Sequence, residues 1–275
     1  MRLIVLGGRG HGNFIVMDIQ NIVSLSGGSA SAVAADRVIE RYGKNAVTLW
    51  FADTLWEDED LYRFLEDLET RWGMTIERFT DGRTPLEVAE DKKLIPNSLA
   101  APCSHELKQK PFLRYIKGLP KPITVHLGLS WDEEHRMGKP KEIYEGVEGV
   151  TVDFPLLWKP LPYMSYTKTI IEWGIKAPRL YELGFPHNNC GGRCVRQGIR
   201  EWMRLKRTMP NRFQEVSDWE QAQREKGGPR ATRSILKDRQ GGTATALTLE
   251  ALETREDTSQ IEMFSGDNFG CFCEY

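Results

Sequence analysis

No apolar run in this sequence approaches the roughly 20 residues that a membrane-crossing helix needs. The opening Met1-Arg2-Leu3-Ile4-Val5-Leu6 is also too short for a secretory signal and gives way to Gly7-Gly8-Arg9-Gly10-His11-Gly12. The expectation is a chain with no membrane partner. Cysteine is scarce: five in 275 residues, an odd number that does not build the paired framework of a small secreted scaffold. Reduced thiols in a cytoplasm, free to react or to bind metal, are the expectation. An excess of one charge is missing as well. Lys+Arg number 37 against 39 Asp+Glu, so no global field draws the chain to nucleic acid or a lipid surface, although a local basic face stays open. There is no internal repeat. What is present, 40% hydrophobic and 28% charged residues, is the composition of a globular protein long enough to bury a full core. It leaves a homo-oligomer open.

The chain is organised around Asn21 to Asp36. Ile22, Val23 and Leu25 form the short apolar run of a buried parallel strand. Ser26-Gly27-Gly28-Ser29 breaks it, and Ala30 to Tyr42 reads as a helix. Two glycines allow a sharp turn and a close backbone approach to a ligand. Ser29 or Ser31 is expected to cap the helix, whose free N–H groups and positive dipole end favour an anion. An ordinary Gly-Ser turn before a helix is the bland alternative from these residues alone.

The rest of the chain continues the alternation. Ala46–Phe51 reads as a second strand, ending in Ala52-Asp53-Thr54. Leu61, Phe64, Leu65, Leu68 and Trp72 recur at helical spacing behind the acidic stretch Glu57 to Asp60. Met74–Phe79 is a third strand. Thr84-Pro85-Leu86-Glu87 carries a capping box with Pro at the first helical position. A helix over His105–Lys117 and a strand over Ile123–Leu129 follow. This is the pattern of an α/β fold with a doubly wound, mostly parallel sheet, whose ligands sit at the carboxyl ends of its strands. Ser26–Ser31, Asp53 and Gly128–Trp131 would converge there. From about Gly138 prolines punctuate shorter segments. Helices are expected over Ser165–Gly174, Ala177–Leu183, Val195–Lys206 and Leu247–Glu253, with loops flanking a basic stretch from Arg230 to Arg239. The division is then an extension or edge strand over 1–20, one α/β domain over 21–210, and an irregular, largely helical C-terminal region over 211–275.

Five short motifs occur in a consistent order across roughly 20–205. Ser-Gly-Gly-Ser-Ala-Ser at 26–31 resembles the PP-loop of the adenine-nucleotide α-hydrolase-like superfamily. Phe51-Ala-Asp-Thr with the later Glu59 resembles that family's strand-end D-T segment. Cys103-Ser-His-Glu-Leu-Lys-Gln-Lys-Pro-Phe-Leu, Gly128-Leu-Ser-Trp-Asp-Glu-Glu-His-Arg, and Pro178-x-Leu-Tyr-x-x-Gly-Phe with Cys190-Gly-Gly-Arg-Cys194 resemble further segments of the phosphoadenosine phosphosulfate (PAPS) reductase family. The resemblance implies a Rossmann-like domain that binds PAPS, its analogue without the 3′-phosphate (APS), or ATP with Mg²⁺. Ser26, Gly27, Gly28, Ser29, Ser31, Asp53, Lys108 and Arg136 would be its binding residues. Two departures stand out. Ala30 occupies a position that is usually acidic, and the terminal E-C-G-L-H element carrying the family's catalytic cysteine is absent. The tail offers Cys271-Phe-Cys273 instead, so either of those cysteines is the candidate nucleophile.

In iron–sulfur members of the family, two cysteine pairs hold a [4Fe–4S] cluster. Cys103 falls on one member of the first pair, with Pro102 in place of the other. Cys190 and Cys194 fall on the second, one residue further apart. Cys273, or in its place Cys271, would be the fourth thiolate; such soft ligands suit iron–sulfur clusters. His187 with Cys190, Cys194 and a tail cysteine is the zinc alternative, and buried inert thiols are the third reading. His105, His126 and His135 read as core or surface histidines. Lys108 and Arg136 are either anion ligands or solvated helix charges. Arg193, Arg196, Arg200, Arg204, Lys206 and Arg207, with Arg230, Arg233, Lys237 and Arg239, form a basic face that either tracks a nucleic acid or is an ordinary charged surface.

The resemblance implies an enzyme of sulfur chemistry. In a reductase, a tail thiolate attacks the sulfonate sulfur of PAPS or APS and a thiol donor protein then releases sulfite. In a sulfur transferase, ATP is cleaved to pyrophosphate and a nucleic acid receives the sulfur. A nucleotide-binding or nucleic-acid-binding module without catalysis is the reading from another class.

Overall fold

A computed structural model describes residues 19–162, 164–239 and 243–254. The expectations placed on 1–18 and on Cys271 and Cys273 lie outside the described residues. The described chain separates into two compact units whose segments interleave. The first takes the residues up to Phe51, Leu65–Phe79 and Phe112–Lys176; the second takes Ala52–Phe64, Thr80–Pro111 and the residues from Ala177 onward.

The sheet belongs to the first unit. Strand β1 (Gln20–Leu25) leads into helix α1 (Ser29–Tyr42), then β2 (Val47–Asp53), α2 (Glu59–Trp72) and β3 (Ile76–Thr80). Helix α3 (Pro85–Asp91) carries the expected capping box between Thr84 and Glu87. A π-helical stretch at Ser104–Gln109 runs into α4 (Lys110–Gly118), where a single helix was expected; β4 (Ile123–Leu127) follows. After a tight 3-10 segment at Trp131–Arg136 come α5 (Gly138–Glu145), β5 (Val150–Asp153) and α6 (Met164–Glu172).

The five strands lie in the order β3-β2-β1-β4-β5. β1 pairs in parallel with β2 and with β4, and β4 with β5. The fold is the α/β, doubly wound parallel sheet that the alternation predicted. Ile22, Val23, Leu49, Phe51, Val125 and Leu127 are buried, as strands covered on both faces require. The strand order reverses between β1 and β4, and open α/β sheets bind ligands outside the carboxyl ends at such a point. β5 and α5 escaped the sequence reading because Val150-Thr-Val-Asp is only four residues long and sits among the prolines.

His126 faces the interior of β4 as a structural residue. Its Nε2 meets Asn21 Oδ1 at 3.0 Å, with Tyr42 and Trp158 rings against it. Burial lowers its pKa from 6.5 to about 4, Asp153 opposing the shift and Arg41 adding to it. The folded form therefore keeps this ring neutral while the unfolded chain takes up the proton. Stability is whole above pH 6.5 and is lost as pH falls toward 4. Urea unfolding should give about 2 kcal/mol less stability at pH 5 than at pH 7 from this group. His126→Gln should flatten that part of the pH profile.

In the second unit, α7 (Arg179–Glu182), α8 (Ile199–Thr208) and α9 (Pro210–Glu225) precede an antiparallel hairpin, β6 (Leu236–Asp238) with β7 (Thr245–Leu247), and α10 (Leu249–Glu253). Its core includes Trp56, Leu86, Ile95, Leu107, Trp202, Phe213, Leu249 and Leu252. The basic stretch Arg230–Arg239, expected between two loops, thus contains a strand. Among the described residues, no helix is long and apolar enough to cross a membrane.

Candidate functional site

In the first unit, β1 delivers the chain to Ser26. Gly27 then adopts φ +80°, a left-handed turn that glycine makes without steric cost. Gly28 is the N-cap of α1, and no side chain caps that helix. The expected capping by Ser29 or Ser31 is therefore corrected, because both lie inside the first turn and their hydroxyls are used elsewhere. Ser31 Oγ donates to the Gly28 carbonyl at 2.9 Å, and accepts from the Ser26 hydroxyl at 2.9 Å and the Ser26 N–H at 3.2 Å. Ser26 Oγ in turn accepts the Gly28 N–H at 3.4 Å. Ser29 Oγ accepts the Thr167 hydroxyl of α6 at 3.3 Å.

The serines thus knit the loop to itself and to α6. What they present is the N-terminal end of a 14-residue helix with no acidic residue in its first turn. Backbone N–H groups and the positive dipole end make that place suited to a phosphate. Ala30, where the PP-loop pattern has an acidic residue, removes a repulsive charge from this end.

Gly128 closes the loop from the other side. β4 runs beside β1 with Leu127 opposite Ser24. A Cβ on Gly128 would lie 2.8 Å from Ser31 Cα and 3.2 Å from Ser31 N. Beyond it, Ser130 and Glu133 form a capping box for the 3-10 segment. Arg136, buried, forms an ion pair with Glu133, so it is an interior cation and not a solvated helix charge. Tyr166 of α6 is fully buried, and burial raises its hydroxyl pKa against the pull of Arg37. Arg37 itself donates to the carbonyls of Pro155 and Leu156 at 3.0 and 3.1 Å.

In the second unit the acidic stretch after β2 forms a buried polar network. Asp53 Oδ1 accepts the Leu55 N–H at 2.8 Å and the Tyr62 hydroxyl at 2.9 Å, and Tyr62 is held above its ordinary pKa by burial and by that bond. Glu57 is buried. It accepts the Thr54 hydroxyl at 2.9 Å and the Cys190 N–H at 2.5 Å, and its Oε1 lies 3.7 Å from Lys108 Nζ. Asp58, also buried, takes Arg179 at 2.8 Å and Arg212 at 2.6 Å. Arg212 continues to the Gly191 carbonyl at 3.0 Å, and Arg193 stacks over the Trp56 ring at 3.7 Å while bonding Glu215 at 2.6 Å.

This network holds an unusual turn. Cys190, Gly191 and Gly192 have φ of +53°, +55° and +79°, a left-handed run that costs a residue with a Cβ about 1–2 kcal/mol. The Glu57 bond to the Cys190 N–H stabilises the one residue of the three that glycine does not excuse.

Cys103, Cys190 and Cys194 are all buried in one hydrophobic core. Burial, with Cys190 nearby, pushes the Cys103 thiol up to about 12, Lys108 and Arg196 pulling the other way. Among the described residues no group of three or more His, Cys, Asp or Glu side chains is placed to hold a metal. The fourth thiolate of the expected set, Cys273 or Cys271, lies outside the described residues, so the described donors alone do not complete the expected iron–sulfur cluster or the His187 zinc site, and the chemistry below runs through neither. His105 and His135 are exposed, as surface histidines.

The basic face is partly consumed by internal pairs. Arg193 bonds Glu215, Arg204 lies 3.8 Å from Glu201, and Lys206 donates to the Glu253 carbonyl at 2.7 Å. Arg200 and Arg207 are exposed. The structure thus places Gly128 against Ser31, and Arg136 in the 3-10 segment after β4, all within the first unit. Asp53, Lys108 and the three described cysteines belong to the second. The sequence reading missed Gly128 as a packing residue and Glu57, Asp58, Arg179 and Arg212 as a network. The one available signal for the network was four consecutive acidic residues, all four paired with Lys108, Arg179, Arg212 or Arg63.

A family model described as a phosphoadenosine phosphosulfate reductase domain matches residues 20–186, more than half of the chain. Among solved structures, the chain is similar to the crystal structure of phosphoadenylyl-sulfate (PAPS) reductase from Candida auris in its phosphate complex. The identity is 18% and the TM-score 0.41, over 60% of this chain and 78% of that one. No curated protein matches the chain.

Proposed function

The chain belongs to the phosphoadenosine phosphosulfate reductase family, and from that premise we propose that it binds a sulfonucleotide at Ser26–Ser31 and reduces it. The observation that carries the reading is the loop itself. Gly27 turns the backbone and the serine hydroxyls hold it, and the N-terminal end of α1 is of the kind that binds a nucleotide's phosphate. Arg136 supplies positive charge on the neighbouring turn after β4.

The three described cysteines are buried, and a thiolate needs access to attack. The nucleophile is accordingly assigned to the tail, Cys271 or Cys273. Its thiolate attacks the sulfonate sulfur, an S–S bond forms, and the S–O bond to phosphate breaks with the adenosine phosphate as leaving group. Attack by a second thiol then releases sulfite and leaves a disulfide, so a thiol donor is the partner that restores the enzyme.

The test is a side-by-side assay of sulfite release from PAPS and from APS, and of pyrophosphate release from ATP, each with a dithiol donor. Sulfite release is expected, and it should fall at least 100-fold in the Cys271→Ser/Cys273→Ser double variant, as for loss of a covalent nucleophile. Pyrophosphate without sulfite would establish the transferase reading. Tight nucleotide binding with no turnover would establish a binding module.

A further inference from the structure

Helix α1 is tied at two places to the segment that runs from β5 into α6, all within the first unit. Past its middle, the Arg37 guanidinium donates to the carbonyls of Pro155 and Leu156 at 3.0 and 3.1 Å. At its first residue, the Ser29 hydroxyl accepts the Thr167 hydroxyl at 3.3 Å. The ties are separated by about 12 Å along the helix axis, at roughly 1.5 Å per residue. Fastenings so spaced hold the direction of α1 against the β5–α6 segment, which a single one could not.

The element that does the fastening is itself firm. Tyr166 and Ile170 stand one helical turn apart on α6, and both are buried. In that interior the Tyr166 hydroxyl faces Arg37 and Ser130. Thr167 is therefore presented from a packed helix, on a β-branched side chain with few rotamers to choose from. Ser29 is buried as well, and a buried hydroxyl is costly without a bonding partner.

We propose that Thr167 is a positioning residue for the phosphate end of the site. It fixes where the first N–H groups of α1 stand, and through them the affinity for the nucleotide. The proposal rests on the reading of Ser26–Ser31 as the nucleotide loop. Thr167 acts through Ser29 rather than by touching the ligand. The first N–H groups of a helix have no partner within it and point out of its end, and their bonds weaken steeply when misaligned. With the Thr167 tie gone and Arg37 as the pivot, a tilt of about 5° swings that end by about 1 Å over the 12 Å arm.

The measurement is the calorimetric Kd of the full chain for PAPS, APS and ATP, followed in the variants with whichever binds most tightly. Thr167→Val removes the donor at nearly the same volume and should weaken binding about fivefold, the worth of one neutral hydrogen bond. Thr167→Ser keeps the hydroxyl and should bind as the wild type does. Thr167→Ala should show the loss again, and it carries the test if Thr167→Val does not fold. Ser29→Ala removes the acceptor, so adding Thr167→Val to it should weaken binding no further. Thr169→Val is the matched control. Thr169 donates its hydroxyl to the Ser165 carbonyl at 2.9 Å within α6, and losing it should leave the Kd unchanged. Wild-type affinity in Thr167→Val, an equal loss in Thr169→Val, or losses that add in the double variant would overturn the positioning role. If the wild-type protein binds none of the three nucleotides, it is the nucleotide reading of the loop that fails.

Discussion

Replacing Gly128 with alanine should destabilise the protein by about 1–3 kcal/mol, the usual cost of overpacking, and weaken adenine-nucleotide binding by roughly tenfold or more. The added methyl group would stand 2.8 Å from Ser31 Cα and 3.2 Å from Ser31 Cβ and N. These are backbone atoms and the root of a side chain, so no flexible group can swing aside. Either β4 moves away from α1 or the first turn of α1 shifts. Ser31 is the centre of the hydroxyl network, donating to Gly28 and accepting from Ser26, and a shift there loosens the loop that meets the phosphate. Gly118→Ala is the control. It meets nothing within 4 Å and lies at the end of α4, where alanine is the better helix former; it should leave both stability and binding unharmed. Denaturant midpoints and nucleotide titration separate the outcomes. If Gly128→Ala binds nucleotide as the wild type does, the loop is not the phosphate site.

The elements that the sequence made legible are those whose signal is local. Ile22-Val23 and the Gly27-Gly28 break marked β1 and its loop, and Thr84-Pro85-Leu86-Glu87 marked a cap that the structure reproduces atom for atom. β5 was illegible because four residues carry too little periodicity. Its place is set by pairing with β4, from Ile123↔Val150 to His126↔Asp153, which is a tertiary fact. The π-helical stretch at Ser104–Gln109 has the composition of an ordinary helix, and only the hydrogen bonds distinguish it. The serines of the loop were read as caps because serine often caps. Glycine's own backbone filled that position, and the hydroxyls became cross-links within the loop. The acidic stretch Glu57–Asp60 reads as the first turn of a helix, where carboxylates suit the dipole. Its partners Lys108, Arg179 and Arg212 are separated from it by some 50 to 150 residues, so no window of sequence could show that two of these carboxylates are buried.

That burial sets the second large effect. Glu57→Leu should destabilise the protein by about 3–5 kcal/mol, the cost of removing one partner from a buried charge pair. The loss has three parts. Lys108, whose side chain is only 12% exposed, loses the carboxylate 3.7 Å away. The Thr54 hydroxyl loses its acceptor at 2.9 Å, and the Cys190 N–H loses its own at 2.5 Å. Glu57→Gln keeps an oxygen acceptor but not the charge, and should cost about half as much, near the 1–3 kcal/mol of a charged hydrogen bond. A second variant separates charge from geometry. Lys108→Met in the Glu57→Gln background removes the uncompensated cation and should recover about 1 kcal/mol or more, because apolar replacement of a whole buried pair is often neutral. Cys190→Gly should also soften the effect of Glu57→Leu, since glycine holds φ +53° without the bond that a residue with a Cβ needs there. Urea unfolding of these four variants, with the single Lys108→Met and Cys190→Gly proteins, supplies the cycles. Strictly additive losses would mean that Glu57, Lys108 and the left-handed turn at Cys190 are independent, and the buried carboxylate would then not be what holds the C-G-G-R-C turn in shape.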